Sequence, residues 1–220
     1  MTQPSAPDVA ADLLRIHRVI TRGLVVSLQH SRTSLDPARA PGFVTYAQTL
    51  GWVLHGHHVG EDQMAFPTFR RKQVDGPYLL LVAEHGQMQA ILDEVRPVLD
   101  WLAAEPGDTG SLASVHRAFS RLSEIWYPHI GREEEHFTTE ILGAAIGVEE
   151  QLSLARGLAE HAQQNSGPAY LAAPFVMYNL SAEDRADLLR VMPPEVTQHL
   201  VPVVWKDQWA PMKPFLVDVD

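Results

Sequence analysis

Two stretches of the chain set the same two side chains at the same spacing. His57-His58-Val59-Gly60-Glu61 and His129-Ile130-Gly131-Arg132-Glu133 each place a histidine four residues before a glutamate. On a helix that spacing is about one turn, so both groups share a face, roughly 6 Å apart along the axis. An imidazole and a carboxylate stacked in this way can grip one metal ion, and two such pairs can grip two. One pair alone is a weak signal, because many helices carry it by chance. The duplication gives it weight.

Composition narrows the chemistry further. The chain has 220 residues and no cysteine, which excludes disulfides, thiolate zinc sites, iron–sulfur clusters and cysteine nucleophiles. Any metal must be held by nitrogen and oxygen, and the 11 histidines can supply the nitrogen. Net charge is 17 − 27 = −10, which opposes attachment to nucleic acid or to an anionic membrane. No window approaches the roughly 20 apolar residues of a membrane span. The first fifteen residues carry Pro4, Pro7, Asp8 and Asp12 without an apolar run, unlike a signal peptide. These features read as a soluble cytoplasmic protein.

The paired side chains need elements to hold them. Asp8 is placed to cap a first helix with an apolar stripe through Leu13, Ile20, Leu24 and Leu28, ending near His30. A second helix is expected from Pro41 to about Lys72, kinked or shortened by Pro67. A third should start at Pro77 and run to about Ala104, with a bend at Pro97. After the break at Glu105-Pro106-Gly107-Asp108-Thr109-Gly110, a fourth should span Ser111 to Leu142, with a kink at Pro128. Short connections between long helices favour antiparallel neighbours. The expected fold is therefore all-α: an up-and-down four-helix bundle over residues 8–145, with additional C-terminal helices over 146–220 packed on it. In that extension Ser181 can cap a helix ending at Pro193-Pro194, and a short helix should follow through Val201 to Trp209. The extension reads as a helical cap over an apolar end of the bundle, or else as a lid or wall over a substrate pocket.

Each long helix offers inward candidates: His17 on the first, His57 and Glu61 on the second, His85 on the third, His129 and Glu133 on the fourth. A lone buried histidine is more often a hydrogen-bonded core residue than a ligand. Burying four imidazoles and two carboxylates without a cation would cost several kcal/mol per charged group. A metal pair removes that objection, and bundle interiors are where such sites are built.

The order His, His-x-x-x-Glu, His, His-x-x-x-Glu resembles the hemerythrin family in its bacterial HHE branch. The flanks agree: His57-His58-x-x-Glu61-x-x-x-x-Phe66-Pro67 resembles the family's second-helix signature, and His129-x-x-x-Glu133-Glu134-Glu135 its fourth. The resemblance covers about residues 10–145 and implies His17, His57, His85 and His129 as terminal ligands. It implies that Glu61 and Glu133 each bridge two iron ions, with manganese or zinc as less favoured occupants of the same donor set. One departure stands out. Oxygen-carrying hemerythrins have a further histidine one turn after the third-helix histidine, where this chain has Gln89. Their last carboxylate also lies five residues after its histidine, which would select Glu134; the repeated four-residue spacing selects Glu133.

Two six-coordinate irons need twelve bonds. Four histidines, two bridging carboxylates and one bridging oxygen supply ten, so each iron keeps one open position. A fifth histidine would leave one in all. Glu84, His58 and Gln89 are the nearest residues that could fill a position, with Gln89 better suited to an outer hydrogen bond. His58 points about 100° from His57, which suits an outer or surface place. Glu134 and Glu135 read as solvated charges, His136 and Tyr127 as surface residues, and His30, His55, His116, His161 and His199 have no evident partner. Gly56, Gly60, Gly86 and Gly131 flank the paired residues, each costing about 1 kcal/mol of helix stability. They mark either close helix packing or space for a molecule larger than dioxygen.

The resemblance implies a di-iron oxidoreductase acting on dioxygen, peroxide or nitric oxide, with a small organic substrate also conceivable. A reversible oxygen or nitric oxide binder, or an iron or redox sensor, is the competing reading. A bundle used only for protein contacts is the third.

Overall fold

The computed structural model describes residues 8–217, and none of these is in a strand. Helix α1 (Val9–Ser31) starts where the Asp8 carboxylate accepts the Ala11 N–H at 3.1 Å. Helix α2 (Ala40–Gly60) carries Pro41 in its first turn. It continues through a π turn, Glu61–Ala65, into α3 (Phe66–Arg71). The rod thus reaches nearly to the expected Lys72. Pro67 has no N–H and its ring crowds the carbonyl four residues back. The wider turn just before it absorbs that misfit, and Phe66 N–H bonds the Glu61 carbonyl instead.

Helices α4 (Tyr78–Ala104) and α5 (Thr109–His136) run as single helices through Pro97 and Pro128. Asp108 caps α5 by accepting the Gly110 N–H. The fourth rod stops at His136, six residues before the expected Leu142. Phe137 leaves the helix to pack its ring on Phe69, Phe66 and Tyr78, with centroids 5.0, 5.7 and 5.6 Å away. The Thr138 hydroxyl then accepts Ile141 N–H and opens α6 (Thr139–Ala145). Burial of an aromatic ring outweighs the extra turns of helix.

The extension holds more helix than its sequence suggested. Helix α7 (Val148–Asn165) lies along α2 and the π turn, and α8 (Ala169–Tyr178) follows a turn in which Gly167 takes φ +78°. Helix α9 (Ala182–Val191) is capped by Ser181 as expected. A π segment (Val196–Val204), α10 (Lys206–Trp209) and a 3-10 turn (Ala210–Phe215) complete it. Helix α2 therefore touches α1, α4, α7, α8 and the 3-10 turn. That explains why it is apolar around most of its circumference. Buried Tyr46 on α2 donates its hydroxyl to Asn179 at 2.7 Å, tying the end of α8 to the bundle.

The core comes in two pieces. The larger joins Ile20, Leu24, Leu50, Leu54, Ile91 and Trp126 with Phe175, Val201, Trp209 and Phe215 of the extension. The smaller joins Val9, Leu13, Ala65, Phe66, Phe69, Leu81, Phe137 and Leu154. On every long helix the metal-ligand candidates fall between the two.

The glycines separate by environment. A Cβ on Gly56 would lie 2.2 Å from Ser166 Oγ and 3.1 Å from backbone atoms of Asn165 and Ser166, whereas one on exposed Gly86 would meet nothing within 4 Å. Gly86→Ala should stabilise the protein by up to about 1 kcal/mol. Gly56→Ala should destabilise it by roughly 1–3 kcal/mol, because overpacking against backbone exceeds the propensity gain. Urea unfolding of both variants reads the opposite signs.

Candidate metal centre

The bundle brings all six sequence candidates into the one layer that divides the core. His17 comes from α1, His57 from α2 and Glu61 from the first residue of the π turn; His85 comes from α4, and His129 and Glu133 from α5. Each of the six side chains is at most 4% exposed. His17 Nε2 lies 3.1 Å from Glu133 Oε2, and His57 Nε2 lies 3.5 Å from Glu61 Oε2. His85 Nε2 stands 3.5 Å from Glu61 Oε2 and 4.0 Å from Glu133 Oε1, while His129 Nε2 is 3.3 Å from Glu133 Oε1. Both carboxylates thus face imidazoles from more than one helix.

Outer carboxylates orient three of the rings. His85 Nδ1 bonds Asp62 at 2.9 Å, His129 Nδ1 bonds Glu84 at 3.0 Å, and His17 Nδ1 bonds Glu134 at 3.1 Å. A carboxylate at Nδ1 draws the proton to that nitrogen and leaves Nε2 as a lone pair. His85 and His129 then aim two lone pairs at each other across 3.1 Å. This arrangement repels itself unless a proton or a cation lies between. Glu84 is further held by Arg132 at 2.7 Å, so it supports His129 instead of facing the interior. Glu134, read as a solvated charge, is the partner of His17.

The residues fit a bound cation. Nε2 of His17, His57 and His58 and both oxygens of Glu61 and of Glu133 are buried without a hydrogen-bond partner. Leaving such groups unsatisfied costs about 1–3 kcal/mol each, more when charged. Here the orphans face one another. One donor atom each from His17, His57, Glu61 and Glu133 lie mutually within 4.8 Å, and so do donors from Glu61, His85, His129 and Glu133. Donors around one ion at about 2.1 Å span roughly 3 to 4.2 Å, so both sets match a single ion apiece.

The protein's own charges sharpen this. Burial, and then the charge of Glu133, push Glu61 well above the usual carboxylate range. Burial also works against ionisation of Glu133, but His129 and His17 overcome it and hold that carboxyl low. His57 is kept neutral by burial and by neighbouring imidazoles. Burial opposes a charge on His17 too, yet Glu133 and Glu134 outweigh it and raise its pKa. Without a cation, burial and the charge of Glu133 favour the protonated form of Glu61. An incoming ion must displace that proton.

Three participants were not evident, or were misplaced, in the sequence. Asp62, next to Glu61, orients His85. Trp126, fully buried, stands 5.7 Å from His17 and 6.1 Å from His129 and donates its indole N–H to Thr21 at 2.9 Å. Its position one turn before His129 was the available signal. His58 is buried, its ring stacked on that of His85 at 4.0 Å. Gln89 does not reach the centre; it bonds His55 and Asp93. His116 pairs with Ser31, and His30 meets Phe215 edge to face. Tyr127 is 46% exposed, in keeping with a surface place. The glycine hint resolves toward packing for Gly56 and Gly60, which press on residues 158–166, while Gly86 and Gly131 face outward. None of the four opens space beside the ligands.

Glu84→Ala should weaken metal binding by about 10–100-fold, the usual cost of losing an orienting partner. Gln89→Ala should change it less than twofold. Competition with a chromophoric chelator measures both.

The family model for the hemerythrin HHE cation binding domain matches residues 8–141. That stretch takes in all four long rods and all six inward candidates. No curated protein and no solved structure matches the chain. A buried histidine and glutamate cluster between four helices, inside the span of that match, leads to one conclusion: the chain belongs to the hemerythrin HHE cation-binding family.

Proposed function

We propose that the protein is a non-haem di-iron protein that reacts with dioxygen, peroxide or nitric oxide, and that it acts as an oxidoreductase. The observation that carries this reading is the overlap of the two donor sets: both contain Glu61 and Glu133. Carboxylates common to two sets are placed to bridge two ions. His17 and His57 would hold one ion, and His85 and His129 the other. Nitrogen and oxygen donors without thiolate suit iron, and less specifically manganese or zinc. The family's usual metal favours iron.

When bound, iron would supply the electrons that reduce the oxidant. The chain's own residues do the rest. Glu61 and Glu133 would hold the metal and offset its charge. Asp62, Glu84 and Glu134 hold three imidazoles in the ligating tautomer. Trp126 and the two apolar clusters exclude bulk water. A small reactant fits this enclosure better than an organic one, since the flanking glycines yield no room. The proposed setting is the cytoplasm; no helix among the described residues is long and apolar enough to cross a membrane.

A reversible gas binder or redox sensor is the second reading. The enclosure of the centre favours it, because six candidate side chains that are each at most 4% exposed suit the uptake of a small gas.

Protein isolated without chelator should hold two irons per chain by elemental analysis. Glu61→Ala or Glu133→Ala should leave one or none; two retained ions would end the bridging assignment. Reduced protein mixed with dioxygen should oxidise rapidly, with the oxidant consumed, in stopped-flow absorption. A long-lived adduct reversed by degassing would select the binder instead.

A further inference from the structure

We propose that Met64 is an oxidisable switch residue: a hydroperoxide converts its thioether to the sulfoxide, and the sulfoxide releases α7 from the π turn. The oxidant comes from solution, so the proposal stands apart from the di-iron reading.

The chain has six methionines. Met88, Met177 and Met212 are buried, Met64 and Met192 are partly buried, and Met1 lies outside the described residues. Met64 belongs to the π turn that begins at Glu61, and it lines a solvent-open cleft of about 300 Å³ between that turn and α7. Pro67, Arg71, Glu150 and Leu154 line the same cleft. A thioether that solvent reaches is oxidised more readily than one sealed in a core.

The contact with α7 is close. A Cβ built on Gly157 would lie 2.4 Å from Met64 Cε and 3.9 Å from its Sδ. The methyl group fills the room that a side chain at position 157 would need, and α7 meets it with bare backbone. Beyond that point Leu158 and His161 lie against Gly60, and Ser166 lies against Gly56. Before it, Arg71 and Lys72 pair with Glu150 in the first turn of α7. Helix α7 is thus held at its start by charge and along its middle by close fit.

The step is a two-electron oxygen transfer. A lone pair of Sδ attacks one peroxide oxygen, the O–O bond breaks and an S–O bond forms. With hydrogen peroxide, the departing hydroxide takes the proton of the transferred oxygen and leaves as water. Sulfur is oxidised and the peroxide is reduced. The product is bulkier and polar. Gly157 has no side chain to turn aside, and its N–H is used within the helix, so the new oxygen finds neither room nor a donor there. Over-filling of this kind is relieved when the two surfaces separate.

The plainer account makes Met64 a gap filler, a frequent use of a flexible thioether. That account covers the fit. It leaves unexplained why the filler borders a solvent-open cleft, and why the facing residue is a glycine inside a helix, where alanine serves the helix better. Release also has a consequence at the centre. Gly56 and Gly60, which the α7 segment covers, stand on either side of His57, and Gly60 precedes Glu61. The state of one thioether is thereby linked to the backbone that carries two ligand candidates.

The test uses the full chain, dilute hydrogen peroxide and trypsin as the reader of α7, since exposed Arg156 precedes Gly157. Peptide mass mapping should show Met64 gaining an oxygen at least fivefold faster than Met88, Met177 or Met212. Cleavage after Arg156 should rise at least fivefold with oxidation and return to the parent rate after methionine sulfoxide reductase. Met64→Leu, which conserves volume, should abolish the rise, and Met192→Leu should keep it. Met64 left unmodified while the buried methionines gain oxygen overturns the proposal. So does Met64 sulfoxide with cleavage within twofold of the parent. A rise that persists in Met64→Leu overturns it as well, because the peroxide would then act elsewhere, the metal centre included. If Met64→Leu does not fold, the Met192→Leu chain decides: cleavage still raised after the reductase has restored Met64 overturns the proposal.

Discussion

Two carboxylates face each other in the dry middle of a helical bundle, and everything around them answers to that placement. At a separation of at most 4.8 Å between one oxygen of each, two such charges would repel by about 3 kcal/mol or more at an effective dielectric near 20. Burial adds a desolvation cost to both. The chain does not relieve this with arginine or lysine at the inner oxygens. It surrounds them with imidazole nitrogens whose lone pairs are turned inward. Donors that repel each other and all face one small volume are stabilised by a multivalent cation or by protons shared among them.

The scaffold serves that volume from outside. Asp62, Glu84 and Glu134 approach the far nitrogens of three rings from outside the inner layer, Asp62 and Glu134 with part of their side chains exposed. The π turn beginning at Glu61 accommodates Pro67 without breaking the rod, so the second helix can continue into the apolar cluster that closes one side. Phe137 leaves the fourth rod for the same cluster. On the other side Trp126 separates the ligands from the larger core. The polar layer is thus held between two apolar blocks, which fix ring positions more firmly than helix geometry alone could do.

The C-terminal extension completes the second helix and leaves the ligands to the four long rods. Helices α7 and α8 and the final 3-10 turn cover the face of α2 that the four-rod bundle leaves open. The side chains of Phe175, Trp209 and Phe215 belong to the same core as Leu24 and Leu50. Gly56 and Gly60 are small because this cover lies against them, which places their role in packing and gives them none in admitting a reactant.

The sequence alone determined the six inward candidates and the helices that carry them. A histidine and a glutamate four residues apart share a helix face wherever the helix goes, and apolar neighbours turn that face inward. Those are local properties, fixed by 3.6 residues per turn, and the starts of α1 and α9 were legible from Asp8 and Ser181 for the same reason. Roles that depend on a partner from another helix were not legible. Glu134 and Glu135 both read as solvated charges, yet Glu134 meets His17, because α1 passes on that side of α5. His58 read as an outer or surface residue, or else as one able to fill a metal position, until the positions of α4 and α5 set its ring on His85. Helices α7 and α8 were not read from the sequence; α8 is apolar along nearly its whole length, so no single stripe marked its buried face. Side-chain spacing along one helix is set by the backbone, whereas contact between helices is set by how the whole chain packs, and only the folded molecule decides that.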